Sequence, residues 1–322
     1  MRTSVFRRLA SARPIGTPTA TPTATLLVAL VALAGCAQTG SVTDVVESAG
    51  EAVATAASSI DSSTERSNKT ALSAALDAQS DEHKARYDNR NPGATLEFFG
   101  VEPGMTVAEA IPGGGWYTKI LVDYLGSEGA VYGVNYQDSV WASFGFPEER
   151  VKQRIEATDA FPGQVAQWTD NGIAAEGFTF AGAPEATVGT ADVVLFIRAL
   201  HNLHRFKDTG VLDEAITTAH DLLKPGGIVG VVQHRAPENA PDEWATGRAG
   251  YLKPSLVIAM FTQAGFTFDG TSEVNANPND NPTTDNVVWR LPPTYSGGEE
   301  TKAAMDAIGE SDRMTLRFKK AS

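Results

Sequence analysis

The chain has 322 residues, 42% of them hydrophobic, with 26 basic residues against 39 acidic ones and a formal charge of −13. A surface that acidic repels phosphate backbones and anionic headgroups, which argues against nucleic acid as a partner and against electrostatic adhesion to a membrane. One cysteine rules out a disulfide framework, so stability has to come from a packed core.

Residues 1–35 read as a cleaved export signal. Arg2, Arg7, Arg8 and Arg13 form a basic start, and Leu26 to Leu33 is an apolar run too short to remain in a bilayer as a spanning helix. Leu33-Ala34-Gly35-Cys36 follows at once. Small residues directly before cysteine resemble the lipobox of bacterial lipoproteins, which implies cleavage before Cys36 and lipid on its thiol. The resemblance implies an exported protein, lipid-anchored to the membrane and facing the periplasm. Ala37, where Asp would mark retention, favours the outer membrane over the inner. Loss of the four signal arginines leaves 22 basic and 39 acidic residues, a charge of −17, so lipid rather than a basic patch must hold the chain to the membrane. Residues 36–67 are rich in Ala, Ser, Thr and Val, carry no aromatic side chain and read as a flexible tether. The folded domain is expected over 68–322.

Within it, Asn91-Pro92 marks a helix start, with proline in the first turn, and Glu102-Pro103-Gly104 breaks the segment that follows. Short apolar runs then alternate with amphipathic stretches. Thr106–Ala110, Ala130–Val134, Phe178–Phe180, Val193–Ile197 and Ile228–Val232 are predicted strands. Tyr117–Leu125, Glu148–Ile155, Val211–Leu223 and Ser255–Ala264 are predicted helices. Such alternation calls for a parallel sheet covered on both faces, wound by right-handed crossovers. Phe266–Phe268 and Met314–Phe318 are also strand-like, separated by a polar segment rich in Pro and Asn.

The most informative stretch is Glu109-Ala110-Ile111-Pro112-Gly113-Gly114-Gly115-Trp116, where a buried strand runs through three glycines into a helix. Glycine lets the backbone turn sharply and approach a ligand, and the helix start offers free N–H groups. The dinucleotide pattern G-x-G-x-x-G is not met, because Thr118 stands at its third glycine. Three further segments follow in order: Gly129-Ala130-Val131-Tyr132-Gly133-Val134-Asn135, Leu222-Leu223-Lys224-Pro225-Gly226-Gly227 and Ala264-Gly265-Phe266. Together they resemble the class I S-adenosylmethionine-dependent methyltransferases over nearly everything from Asn91 to Lys319. Arg90 to Val107, His234-Arg235 and Ser311-Asp312-Arg313 are similar to a group of bacterial predicted methyltransferases.

The resemblance implies an α/β, Rossmann-like, doubly wound sheet of seven strands, mostly parallel with an antiparallel last strand. It implies S-adenosylmethionine as cofactor. Pro112, Gly113, Gly114 and Gly115 would lie against the methionine part, and Glu109 would help fix the loop and the methionine amine. Asn135 falls where a carboxylate usually grips both ribose hydroxyls. That is a departure, since an amide has one acceptor group where a carboxylate has two.

His201 and His204 follow the fourth strand and His234 follows the fifth, at the ends that flank a methyl acceptor. An imidazole there could take a proton from an acceptor hydroxyl. A zinc site made from all three is conceivable but has no clear fourth ligand. His83 and His220 are expected at the surface, Arg313 beside an acid and Asp192 in a turn or cap. Arg248, Tyr251 and Asn275–Asp280 are candidates for a lid. Three functional readings stay open, the third being a metal-dependent hydrolase built on His201, His204 and His234. The first is methyl transfer to a small-molecule or lipid-like acceptor, favoured by the glycine loop and the histidines. The second is an exported, non-catalytic ligand-binding protein, favoured by Asn135 and the export signal.

Overall fold

The computed structural model describes residues 62–322; the signal, Cys36 and the tether as far as residue 61 lie outside the described residues. A helix over 62–77 (α1) already occupies the end of the predicted tether. Its Leu72 and Ala75 are buried in the same cluster as Leu96, Phe99 and Tyr124. Two short turns of helix follow, Asp81–Lys84 (α2) and Tyr87–Arg90 (α3). Pro92–Phe99 (α4) starts at the predicted proline, with Asn91 as its cap, and stops at Gly100.

The sheet then forms in the expected rhythm. Thr106–Ala110 (β1) leads to Trp116–Leu125 (α5), and Ala130–Asn135 (β2) to Asp138–Ala142 (α6), Glu148–Asp159 (α7) and Phe161–Trp168 (α8). Ala174–Thr179 (β3) and Ala191–Ile197 (β4) precede Leu200–Arg205 (α9) and Val211–Leu222 (α10). Leu223–His234 (β5), Pro254–Gln263 (α11), Phe266–Ser272 (β6), Glu299–Ile308 (α12) and Arg313–Lys320 (β7) complete the chain. The strand order is β3-β2-β1-β4-β5-β7-β6. Only β7 runs antiparallel, to both β5 and β6. This is the Rossmann-like, doubly wound, seven-stranded sheet with an antiparallel last strand.

Alternate residues of one strand show why both faces are covered. Val193 and Leu195 of β4 join the cluster of α1, α4 and α5, whereas Val194 and Phe196 join that of α10 and α11. A strand buried on both faces needs a continuous apolar run, which β4 has. The edge strand β3 reads Ala-Ala-Glu-Gly-Phe-Thr and has no such run, so its start at Ala174 lay outside the predicted Phe178–Phe180. Asp192 holds the strands together at the far end from the glycine loop. Its carboxylate accepts from Thr106 N at 2.8 Å and from Lys224 Nζ at 2.6 Å, so it is structural, though it lies within β4 and not in the expected turn or cap.

β3 lies directly beneath the α7–α8 corner. A Cβ at Gly177 would come within 2.0 Å of the Thr158 carbonyl oxygen and 2.8 Å of Phe161 Cβ. Backbone cannot rotate out of the way as a side chain can. Gly177→Ala should therefore lower stability by about 2–3 kcal/mol, at the upper end of overpacking costs. Urea unfolding measures it; a loss below about 0.5 kcal/mol would show that the corner is free to lift.

Candidate active site

The loop ends of β1, β4 and β5 open onto a cavity of about 310 Å³. Two residues create the opening. Ile111 after β1 and Arg198 after β4 both take left-handed backbone angles, with φ of 56° and 57°. Each N–H still bonds the neighbouring strand, to Val134 O at 2.7 Å and Val232 O at 2.6 Å, before the chain swings out of the sheet. A β-branched residue and an arginine are costly in that conformation, and such strain gathers where a site requires it.

The glycine loop forms one wall. Gly113, Gly114, Pro112 and Glu109 line the cavity. A Cβ at Gly114 would meet nothing within 4 Å, and one at Gly113 only the Ile111 carbonyl at 3.9 Å, so both face open space. Gly115 does not line it. There a Cβ would strike the Trp168 ring at 2.3 Å, and φ is +72°, so this glycine is demanded by packing rather than by a ligand. Asn135 is also separate. It is buried beside a second crevice of only about 30 Å³, shared with Trp141, Arg154 and Gln164, which meets the main cavity only at Ile111, Pro112 and Gly113.

Arg198, His201 and His234 line the same cavity. The two imidazole centroids lie 5.4 Å apart. His201 is oriented by Gln233, whose Oε1 accepts from His201 N at 3.1 Å and faces Nδ1 at 3.3 Å, while its Nε2 donates to Gly250 O at 2.9 Å. With Nδ1 as donor to that oxygen, the lone pair of the neutral ring sits on Nε2. His234 Nδ1 lies 2.5 Å from Ser311 Oγ. Burial pushes His201 down to about 4, with Arg198 and Arg205 lowering it further against the Gln233 bond. Burial, then His201 and Arg313, hold His234 well below its ordinary value. Both rings are therefore uncharged at neutral pH.

His204 turns away. Its Nδ1 faces Thr246 O at 2.8 Å, and the ring borders a separate surface depression with Lys207 and Leu212. The three histidines thus do not converge, and no group of three His, Cys, Asp or Glu suited to a metal exists among the described residues. His83 is not at the surface. It is buried and stacks on Trp116, ring centroids 4.5 Å apart, because α2 folds back over the start of α5. His220 remains partly exposed, with its side chain 38% accessible.

The lid is not the predicted segment. Asn275 is buried, its amide donating to Thr95 Oγ1 at 2.9 Å and Thr315 Oγ1 at 3.0 Å. Asp280 is buried too, bonded to Tyr251 Oη at 3.1 Å and Arg290 at 2.6 Å. This Tyr251–Asp280–Arg290 anchor holds the turn that follows, and Val288, Trp289 and Pro292 to Thr294 roof the cavity. Arg248 is exposed and outside the cavity lining. Sequence patterns favoured the polar segment because long polar loops are usually mobile; here its amides satisfy buried neighbours instead. Arg198, Trp116, Trp289, Glu310 and Ser311 were not singled out as site residues, although a charge directly after a buried strand is a usable signal for Arg198.

No family model matches the chain, and no curated protein does. Among solved structures, the chain is similar to a SAM-dependent methyltransferase from Aquifex aeolicus, with 18% identity over 63% of this chain and 93% of that one, at a TM-score of 0.40. It is also similar to 1,6-didemethyltoxoflavin-N1-methyltransferase from Burkholderia thailandensis, with 14% identity, coverage of 85% and 90%, and a TM-score of 0.42. The [4+2]-cyclase SpnF shares 15% identity over 72% and 80% of the two chains, with a TM-score of 0.46.

Glu109 titrates where it can be tested. Burial pushes it up to about 7 from its ordinary 4.5, against the pull of the Thr118 hydroxyl at 2.5 Å and of Arg198. A carboxyl with a raised folded pKa favours the native state at low pH. That contribution is full below about 4.5 and is lost as pH rises to about 7. Glu109→Gln keeps an acceptor for Thr118. It should exceed the wild type in stability at pH 8 by on the order of 3 kcal/mol and match it near pH 4, measured by urea unfolding. A difference that does not vary with pH would show that Glu109 ionises without penalty.

Proposed function

We propose that this chain is an S-adenosylmethionine-dependent methyltransferase acting on an acceptor seated in the cavity below Trp289. The observation that carries this reading is the strand-end loop. At Gly113 and Gly114 the backbone borders open space, beside a buried acid and with two neutral imidazoles lining the same cavity. When bound, S-adenosylmethionine supplies an electrophilic methyl group. The Gly113 and Gly114 amides suit its amino-acid end, since neither bonds a backbone carbonyl among the turn contacts of the described residues. Glu109 suits its amine. Asn135, Arg154 and Gln164 would hold the nucleoside end, and admitting it requires the 30 Å³ crevice to widen.

The protein's own part is positioning and proton handling. Trp289 and the prolines after it shield the cavity from water. His201, with its tautomer set by Gln233, offers Nε2 as the proton acceptor for an acceptor hydroxyl, and His234 stands beside it. The narrow crevice favours a second reading, a non-catalytic protein that binds a ligand in the main cavity alone. The acceptor on the first reading is a small or lipid-like molecule, and the chain acts outside the cytoplasm, anchored through Cys36.

Calorimetric titration of the full-length protein in mild detergent with S-adenosylmethionine and S-adenosylhomocysteine separates the readings. Binding of both supports the enzyme; binding of neither by folded protein leaves the second reading. Gly114→Leu places a side chain in open space without backbone strain. It should leave stability within about 0.5 kcal/mol while weakening either ligand at least about tenfold. Unchanged affinity would put the cofactor elsewhere. For the anchor, cells fed an alkyne fatty acid should label the wild type but not Cys36→Ser, with the labelled band in the outer-membrane fraction. Equal labelling of both proteins would remove the lipoprotein reading.

A further inference from the structure

The main cavity brings one guanidinium, that of Arg198, together with the carboxyl groups of Glu109 and Glu310. Its charged groups can be counted. Glu310, on the cavity wall, ion-pairs with Arg86, with Arg90 at 3.3 Å and with Arg313 at 2.5 Å. Arg198 also lines the cavity, and Glu109 is the other carboxyl present. Arg86, Arg90 and Arg313 are not part of the lining but are spent on Glu310, and burial pushes the other carboxyl, Glu109, up to about 7. His201 and His234 are uncharged at neutral pH and balance nothing.

Arg198 is the cation left over. The other three gather on Glu310, and no hydrogen bond or ion pair forms on the Arg198 guanidinium among the described residues. The surroundings are desolvating, and the chain is held in a left-handed conformation to present this residue. Arg198 is half-buried, and a guanidinium without an acceptor is the group that pairs best with a planar carboxylate. Flat side chains also line the cavity: Trp116, Tyr117, Trp289, Pro292 and Pro293. A volume of about 310 Å³ suits a compact molecule rather than a chain.

We infer that Arg198 is the carboxylate receptor of the acceptor site, and that the acceptor is a small aromatic carboxylic acid, its ring against Trp116 and Trp289. This rests on the methyl-transfer reading for the word acceptor only; the binding site itself does not depend on it. The amino-acid carboxylate of the cofactor is the competing source of the same chemistry. The acceptor is favoured, because Gly113 and Gly114 already offer free amides to that end of the cofactor, and Arg198 acts electrostatically on both His201 and His234.

The test uses full-length protein and tryptophan fluorescence, since Trp116 and Trp289 both line the cavity. Benzoate, 4-hydroxybenzoate, cinnamate and indole-3-acetate are titrated beside their neutral amides. At least one acid should bind at least about tenfold more tightly than its amide, and Arg198→Gln should abolish that preference. Arg198→Lys should restore part of it, as a point charge without the bidentate fork. S-adenosylhomocysteine is titrated separately, and its affinity should change less than about twofold in Arg198→Gln. Equal binding of acids and amides, or binding of none of the acids, overturns the proposal while a bound S-adenosylhomocysteine leaves the methyl-transfer reading standing. A loss of S-adenosylhomocysteine binding in Arg198→Gln, with 5′-methylthioadenosine unaffected, overturns it by assigning Arg198 to the cofactor. If Arg198→Gln does not fold, the acid-against-amide comparison on the wild type decides.

Discussion

A single carboxylate, that of Glu310, ties together parts of the chain that are otherwise far apart. It receives Arg86 and Arg90 from the short helices before the sheet and Arg313 from the start of the last strand. Burial alone would raise its pKa, but Arg313, Arg90 and Arg86 outweigh that and hold it below the ordinary value. Replacing it would strand three guanidinium groups, two of them fully buried, without a counter-charge, and that is far more costly than never having the pair. Arg90 is additionally stacked on Trp116, 4.5 Å from its ring centroid, so the same network fixes an aromatic wall of the cavity.

The site therefore has two kinds of support. The sheet supplies position: β1 and β4 both end in a left-handed residue whose N–H is still paired to the adjacent strand, so the loop and Arg198 leave the sheet at defined points. The ionic network and the buried Tyr251–Asp280–Arg290 anchor supply the roof. Neither support is local in sequence. Glu310 lies over 200 positions from Arg86 and Arg90, and Asp280 reaches Arg290 through a turn that polar composition alone describes as a loop.

The chemistry follows from dryness. In the partly closed cavity, burial leaves the two imidazoles neutral and raises Glu109, while Arg198 has no ion-pair partner among the described residues. Those shifts are of the kind that mark functional sites more often than surfaces. The gap between a roomy main cavity and a narrow crevice at Asn135, lined also by Trp141, Arg154, Phe161 and Gln164, is the one feature that fits a nucleoside cofactor less well.

Several features were legible in the sequence because they depend on local periodicity or local stereochemistry. Apolar runs in β1, β4 and β5, proline at the start of α4 and the turn of the glycine loop each report on a few adjacent residues, and the strand-helix alternation then leaves few topologies open. His201 and His234 could be placed at strand ends for the same reason. What only the tertiary structure decided is which side chains share one space. Gly115 proves to face Trp168 and not the cavity, His204 turns to Thr246, His83 stacks on Trp116, and the expected lid is a pinned wall. The unpaired charge on Arg198 belongs to the same class. A residue's identity is written in the chain, but whether its partner is water, a carboxylate or nothing depends on contacts between segments hundreds of residues apart, and no local pattern encodes those.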